Sequence, residues 1–267
     1  MGLPNLSKII EKGVAAKGHS QWPTYDGGDL DRSAFVTSSE IGDCARKVRF
    51  SKIALQESDY SPAEGTVGLK RYGFAERGHN VERWVVENLL RGNDSEYRII
   101  MVGDDQRSFY DGAQSGTPDG IILMENGFYI LEFKSMDPRT NTAYLPKPKH
   151  KMQVLQNMDL VSVCLDKSPL GGIILYMDAS DFERRLEYFI EFDEAGAAKL
   201  QERADIILET ENPEDLPAEG VHTDDCRLCD FRHKCSAIVS AQTLQKANVT
   251  KETLKDDIRS AKARLFG

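Results

Sequence analysis

The sequence predicts an α/β fold, in which helices flank a sheet, together with a small cysteine-rich subdomain near the C-terminus. Apolar residues recur at helical spacing in three segments, and short β-type segments lie between them. After the last helical segment, Cys226, Cys229 and Cys235 follow one another within ten residues. A chain of 267 residues with 40% hydrophobic content can bury one large core.

The helices are predicted from the spacing of their apolar residues and from the residues that end them. In the first long helix, the apolar positions between Val81 and Leu89 fall on one face, and Gly92 ends the pattern. A shorter helix, capped by a serine at 38 or 39, is predicted to contain Cys44. The three long helices are predicted at 67–90, from after Pro148 to about 164, and from 193 to about 209.

The strands are predicted from short runs of apolar and β-branched residues with turn residues between them. Asn126-Gly127 is a strong turn signal and joins two of these runs. The first four runs are therefore expected to form an antiparallel meander. The predicted strands are 97–102, 108–110, 120–124, 128–133, 172–177 and 186–192.

Charge and hydropathy restrict where the protein is expected to work. The net charge of −9 argues against a generally basic surface that coats nucleic acid, although a local patch remains possible. The longest apolar run, 170–177, is too short to cross a bilayer, and the first residues lack the apolar core of a signal peptide. We expect a soluble, intracellular protein, located in the cytoplasm and without a membrane partner.

Three regions are predicted along the chain. Residues 1–37 form a loosely packed arm, and 38–236 form the main domain, which includes a metal-binding subdomain made by Cys44 and 222–236. Residues 237–267 form a helical tail.

Two carboxylates and a lysine form the candidate catalytic group. Glu132 and Lys134 are two residues apart on one predicted strand, so they project to the same side, while Asp119 begins the preceding strand. Carboxylate oxygens are the ligands that Mg²⁺ and Mn²⁺ prefer, and a neighbouring lysine can assist a hydrolytic water. The alternative is ordinary turn chemistry at Asp119 beside a solvated strand face.

The string Gly116-Thr117-Pro118-Asp119, followed by Glu132-Phe133-Lys134, resembles the PD-(D/E)XK nuclease superfamily and in particular its RecB-like branch. The resemblance implies a restriction-endonuclease-like core, with a central mixed sheet flanked by helices. It also implies Mg²⁺- or Mn²⁺-dependent hydrolysis of DNA, as an exonuclease or end-processing nuclease on single strands or ends.

The same resemblance assigns further site residues. Gly78-His79 matches a helical motif that makes His79 a metal ligand, beside Asp119, Glu132 and the Phe133 carbonyl. Gln153 matches the glutamine of a Gln-x-x-x-Tyr motif and would help to place water or the strand, whereas Asn157 replaces the tyrosine.

A basic stretch precedes Gln153 and is the candidate contact for nucleic-acid phosphates. For any single lysine of this stretch, a solvated helix start is an equally good explanation. The stretch comprises Lys147, Lys149, His150 and Lys151.

Four of the five cysteines are candidate ligands of a second metal site. Cys44 and the trio Cys226, Cys229 and Cys235 could bind zinc or an iron–sulfur cluster, and His222 and His233 keep zinc open. The spacing resembles that of RecB-like iron–sulfur nucleases, including the fourth CRISPR-associated family, which implies a structural [4Fe-4S] cluster. Cys164, in an apolar helix, is expected to be a buried hydrophobic residue.

Two other functions remain open at this stage. One is a DNA-binding or assembly module for a recombination or CRISPR adaptation partner, in which nuclease activity is secondary. The other is an endonuclease for duplex DNA in which zinc takes the cysteine site.

Overall fold

A computed structural model describes residues 4–15, 31–56, 69–219, 226 and 228–237. The helices are α1 (Leu6–Ala15), α2 (Ala45–Gln56), α3 (Leu69–Gly92), α4 (Pro148–Leu165) and α5 (Glu194–Glu209). The strands are β1 (Val36–Thr37), β2 (Arg98–Ile100), β3 (Phe109–Asp111), β4 (Gln114–Gly116), β5 (Gly120–Met124), β6 (Gly127–Met136), β7 (Pro169–Asp178) and β8 (Arg185–Ile190). Within the described residues, none of the helices combines the length and the apolar character that crossing a bilayer requires.

The central sheet has five strands in the order β2-β5-β6-β7-β8. Its neighbours are antiparallel except β6 and β7, which run parallel because α4 provides the crossover between them. The predicted α/β class, a central mixed sheet flanked by helices, is confirmed.

The two faces of the central sheet have separate cores. Leu131 and Phe133 of β6 face the layer that contains α1 and α3. Ile130 and Met136 face the opposite layer, which contains α4. This alternation is the ordinary consequence of strand geometry, and it allows neighbouring residues of β6 to serve different layers.

The predicted antiparallel meander of four strands is confirmed only in part. Strands β2, β5 and β6 pair as neighbours, and the two-residue turn before Gly127 joins the last two as expected. The predicted strand at 108–110 instead forms β3 of a second, three-stranded sheet with the order β1-β4-β3. It leaves the central sheet because it pairs with β4, whose Gln-Ser-Gly sequence has no strand pattern.

The N-terminal residues differ from the loose packing expected for them. Leu6, Ile9 and Ile10 of α1 are buried in the same core as α3. The first turn of α1 is also bound to β8, since the carboxylate of Glu187 accepts hydrogen bonds from the backbone of Leu6 and from Ser7. Residues 4–10 are therefore part of the packed fold, while the domain boundaries themselves remain predictions.

Cys44 lies immediately before α2 and not inside a helix. Residues 38–43 form turns, in which the Glu40 carboxylate accepts hydrogen bonds from Thr37 and Lys52. The predicted tail helix, at 250–266, lies outside the described residues.

Candidate active site

Asp119, Glu132 and Lys134 lie together at the junction of β5 and β6. The register of these strands pairs Gly120 with Leu131, which places Asp119 beside Glu132. Asp119 Oδ2 accepts a hydrogen bond from the backbone N–H of Phe133 at 2.5 Å. Lys134 Nζ is 2.5 Å from Glu132 Oε1. The three side chains that the sequence analysis selected are thus in one place.

The geometry of β6 explains why these charges share one side of the sheet. Glu132 and Lys134 have the same parity along the strand as Ile130 and Met136, which pack in the layer of α4. The side chain of Glu132 is 1% exposed, whereas that of Lys134 is 24% exposed. The site is therefore buried at its carboxylate end and reaches solvent at its amine.

Glu82 contributes a third carboxylate, to which the sequence analysis gave no role. It lies on α3, and its Oε1 accepts a hydrogen bond from Gln106 Nε2 at 3.2 Å. Burial raises the pKa of Glu82, the bond from Gln106 opposes that rise, and the charge of Glu132 adds to it. In the sequence, the indication that Glu82 belongs to the site is its position one helical turn after His79, next to the buried residues Val81 and Val85.

The carboxylates are crowded enough to change their protonation. Burial, followed by the charge of Asp119, raises the pKa of Glu132 to about 8. Burial, followed by the charge of Glu82, raises the pKa of Asp119 to about 7. For Lys134, burial lowers the pKa, but the surrounding carboxylates outweigh it and raise the value overall. If all three carboxyls were ionised, the site would hold more negative charge than the one ammonium group of Lys134 neutralises.

A divalent cation fits the chemistry of this site. Glu132 Oε2 is buried and has no hydrogen-bond donor within the described part of the chain. The Lys134 ammonium group already contacts Glu132 and partly neutralises its charge, as a metal cation at the same carboxylate would. As they are placed, no three His, Cys, Asp or Glu side chains of the described residues form a ready metal-ligand set. A bound cation would have to gather Asp119 and Glu132 around itself.

The other predicted site residues lie on α3, α4 and β6. His79 is on α3, with an exposed side chain, and among the described residues no hydrogen bond joins it to Asp119 or Glu132. Gln153 is buried on α4. Phe133, whose carbonyl was predicted as a ligand, lies in the strand between Glu132 and Lys134. Their roles at the metal stay predictions.

Asn157, which stands in place of the motif tyrosine, is completely buried on α4. A Cβ atom at Gly116 would overlap Asn157 Oδ1, so the amide packs directly on the segment that leads to Asp119. Both polar atoms of the Asn157 side chain lack a hydrogen-bond partner within the described residues. Asn157 therefore packs in the interior against Gly116, in the segment that leads to Asp119, and is not exposed at the surface of the site.

The predicted phosphate-binding stretch lies at the start of α4. Lys147, Lys149 and Lys151 are exposed, while His150 is partly buried and its Nδ1 is 2.6 Å from the hydroxyl of Tyr176. Tyr176 lies on β7 opposite Lys134 and was not predicted as a site residue. The sequence does indicate Tyr176, because it places a hydroxyl inside an otherwise apolar strand and a buried hydroxyl needs a hydrogen-bond partner.

The cysteines approach one another around the start of α2. Cys229 interacts electrostatically with Cys44, and Cys235 Sγ is 3.7 Å from Arg46 Nη1. The backbone N–H of Cys229 donates to the Cys226 carbonyl at 3.3 Å. No disulfide joins any of the five cysteines, all of which the structure describes. Four thiols are donors that suit a soft metal, but as they are placed among the described residues they do not form a ready metal-ligand set.

Two contacts hold the cysteine segment against α2. The rings of Phe50 and Phe231 stack with their centroids 5.6 Å apart. Arg46, buried at 9% exposure, forms an ion pair with Glu214 at 2.7 Å and donates to the Leu216 carbonyl. These contacts bring Cys44 close to the distal trio whether or not a metal joins them.

The remaining cysteine and histidines have different surroundings. Cys164 is exposed at the end of α4, so the expectation that it is a buried hydrophobic residue is wrong. Its position falls on the outer face of the helix, beside the exposed Val163. His233 is exposed, and His222 lies outside the described residues.

Comparisons with known proteins give a weak structural likeness. No protein-family model matches the chain, and no curated protein matches it. The solved structure of SSO0001 is 22% identical, with a TM-score of 0.44, and the match covers 87% of this chain and 94% of that chain. The alkaline exonuclease LHK-Exo from Laribacter hongkongensis is 16% identical, with a TM-score of 0.46, and the match covers 66% of this chain and 87% of that chain. A second structure of LHK-Exo, in complex with dAMP, has a TM-score of 0.45. The fold described above and the function proposed below rest on the strand order and the site geometry of this chain.

Proposed function

We propose that this protein is a divalent-metal-dependent deoxyribonuclease of the RecB-like PD-(D/E)XK type, which hydrolyses phosphodiester bonds in single-stranded DNA or at DNA ends. One observation carries the proposal: Asp119, Glu132 and Lys134 are in direct or near contact on two paired strands. Neighbouring buried carboxylates of raised pKa, beside an amine that reaches solvent, are typical of sites where an ion and a substrate meet.

The residues of the chain have distinct roles in this proposal. Asp119 and Glu132 would hold Mg²⁺ or Mn²⁺, together with the Phe133 carbonyl and His79. Such an ion, when bound, supplies a Lewis acid for water and the phosphate. The N–H of Phe133 holds one oxygen of the Asp119 carboxylate, and a bound ion would draw this carboxylate and Glu132 together.

Lys134 is the group best placed to meet the substrate. Its ammonium group is the partly exposed end of the site, and it would offset the charge that develops on the phosphate. Gln153, buried on α4, would help to place water or the DNA strand. The exposed lysines at 147, 149 and 151 would contact phosphates along the strand.

A cleavage assay with matched variants tests the proposal. Single-stranded DNA labelled at either end is incubated with Mn²⁺ and the wild type, Asp119→Asn or Lys134→Met, and we expect both variants to lose more than about a hundredfold in rate. Asp205→Asn and Lys199→Met, which make the same changes at exposed positions of α5, serve as controls and should cleave normally. Wild-type rates in Asp119→Asn would overturn the catalytic assignment and leave a DNA-binding role.

We propose separately that Cys44, Cys226, Cys229 and Cys235 hold a structural [4Fe-4S] cluster. The approach of Cys229 to Cys44 and the position of Cys235 beside Arg46 support a shared site. The cluster would join the start of α2 to the C-terminal segment and take no part in hydrolysis. Anaerobic purification, with iron, sulfide and zinc analysis, tests this, and a colourless protein with one zinc would identify the alternative.

A further inference from the structure

A pocket opens at the end of β6, between α3 and the start of α4, and is lined by Tyr176, the register partner of Lys134. Its volume is about 220 Å³, which holds several waters of roughly 30 Å³ each and hence one phosphate group. Its polar lining comes from α3, β6, the start of α4 and β7, together with Asp137 and Thr140 of the loop that follows β6. The first four elements contribute Arg77, Ser135, Lys147, His150 and Tyr176.

Hydrogen bonds at the floor of the pocket determine which nitrogen of His150 carries the proton. The hydroxyl oxygen of Tyr176 accepts from the backbone N–H of Lys147 at 3.1 Å. Its own proton is then best donated to His150 Nδ1, 2.6 Å away. Burial and the charges of Lys134, Lys147 and Lys149 lower the pKa of His150 to about 3. A neutral imidazole that accepts at Nδ1 must carry its hydrogen on Nε2.

The charge around the pocket is positive. Arg77 and Lys147 line it, and Lys134 is close enough to act on His150. The carboxylate in the lining, Asp137, is bound to Arg139 through contacts of 2.9 and 3.2 Å. Asp137 also interacts electrostatically with Arg77. The pocket therefore offers cationic and N–H donors, and its one carboxylate is paired mainly with Arg139, which lies outside the lining.

We propose that this pocket binds a phosphate group of the DNA strand, through His150 Nε2–H, Arg77 and Lys147, and so positions the strand against Lys134. The inference rests on the proposed function for the identity of the ligand. Arg77 and Tyr176 thereby join the site, Arg77 as a direct contact and Tyr176 as the positioning residue that fixes the imidazole. The phosphate has two possible sources, a terminal phosphomonoester or a diester within the strand.

Two substitutions of His150 separate its two nitrogens. Asn places its amide near Nδ1 and keeps the partner of Tyr176, while Gln places its amide near Nε2 and keeps the donor to the pocket. Binding of a fluorescent single strand is measured by anisotropy in EDTA, where no cleavage occurs. We expect His150→Asn to weaken binding about tenfold and His150→Gln less than about threefold, because only the former loses the donor.

A charge variant gives an independent measure that does not depend on the imidazole. Lys147→Gln is expected to weaken binding about tenfold and to reduce the salt dependence by about one phosphate contact. Lys199→Gln, an equal change of charge at an exposed position of α5, is expected to bind like the wild type. Both lysines are exposed, so neither variant endangers folding.

Strands with a 5′-phosphate, a 3′-phosphate or hydroxyl groups at both ends identify the source. A loss confined to one phosphorylated strand assigns a terminal monoester, and an equal loss on all strands assigns an internal diester. Wild-type affinity of both His150→Asn and Lys147→Gln on every strand would overturn the pocket. If the wild type cleaves DNA but the pocket variants bind like the wild type, only the phosphate pocket is refuted. If the pocket variants bind more weakly but the wild type cleaves nothing, the proposed nuclease is refuted and the pocket is retained.

Discussion

Replacing Glu132 by Gln should stabilise the metal-free protein at pH 8 and remove its response to Mn²⁺. The pKa of this buried carboxyl is raised from an ordinary 4.5 to about 8, so the folded state favours the protonated form. That preference is fully present below pH 4.5 and is lost as the pH rises through about 8. Gln has nearly the same shape, but it never ionises.

The size of the effect follows from the same pKa. At roughly 1.4 kcal/mol per pH unit, the difference between 4.5 and about 8 means that ionising Glu132 costs the fold at most about 5 kcal/mol. Relaxation of the site and entry of water around the ionised carboxyl reduce this cost, which leaves a net stabilisation of about 2 kcal/mol at pH 8. For a chain of this size, that corresponds to a rise in Tm of about 4 to 8 °C. At pH 5 the wild-type carboxyl is mostly protonated, and the gain should nearly vanish.

Thermal unfolding in EDTA and in Mn²⁺, at pH 5 and pH 8, measures both effects. With Mn²⁺ at a hundred times its dissociation constant, the wild type should gain about 2.7 kcal/mol, whereas Glu132→Gln should gain little. The order of stability at pH 8 therefore reverses between the two buffers. Glu202→Gln, at an exposed position of α5, is the matched control. Equal Tm values in EDTA, or equal Mn²⁺ shifts in both proteins, would refute the reasoning.

Three further predictions concern packing, a buried ion pair and the cysteine site. Gly116→Ala should lower the free energy of unfolding in urea by about 1 to 3 kcal/mol, because its Cβ would overlap Asn157 Oδ1. The control Gly78→Ala, whose Cβ would have its nearest atom at 3.8 Å, should be neutral or stabilising. Equal urea midpoints for the two variants would contradict this. Glu40→Gln should lower the free energy of unfolding by about 3 kcal/mol, since it leaves the fully buried Lys52 ammonium group without its carboxylate partner at 2.6 Å. Adding Lys52→Met should recover part of this loss in the same assay. If Glu40→Gln alone had no effect, the ion pair would not contribute to stability. Cys44→Ser should lower the iron or zinc content of the purified protein, while Cys164→Ser, at an exposed cysteine, should retain it; full metal content in Cys44→Ser would exclude this cysteine as a ligand.

Much of the central sheet could be predicted because its signals are local. Strand β5 has the predicted bounds, Gly120–Met124, since an apolar run between Pro118 and a two-residue turn has few alternatives. The contact of Glu132 with Lys134 also follows from strand periodicity. These features depend on residues that are close in the sequence, so the pattern is enough.

Other features depend on contacts between distant segments and could not be predicted in this way. Glu82 reaches the site because of the way α3 packs on the sheet. Strand β4 exists because β1 and β3 pair with it, and its own residues carry no strand pattern. The placement of α1 had a faint signal, apolar residues at 6, 9 and 10, but these span only one helical turn.

The contact between Glu187 and the first turn of α1 has a consequence for synthesis of the chain. The carboxylate that accepts the N–H groups of Leu6 and Ser7 lies about 180 residues further along the sequence. During translation, α3 emerges soon after α1 and can cover its hydrophobic face, whereas the partner of its helix start, in β8, is made much later. A nascent chain stalled before residue 187 should therefore leave the first turn of α1 unanchored and open to proteolysis.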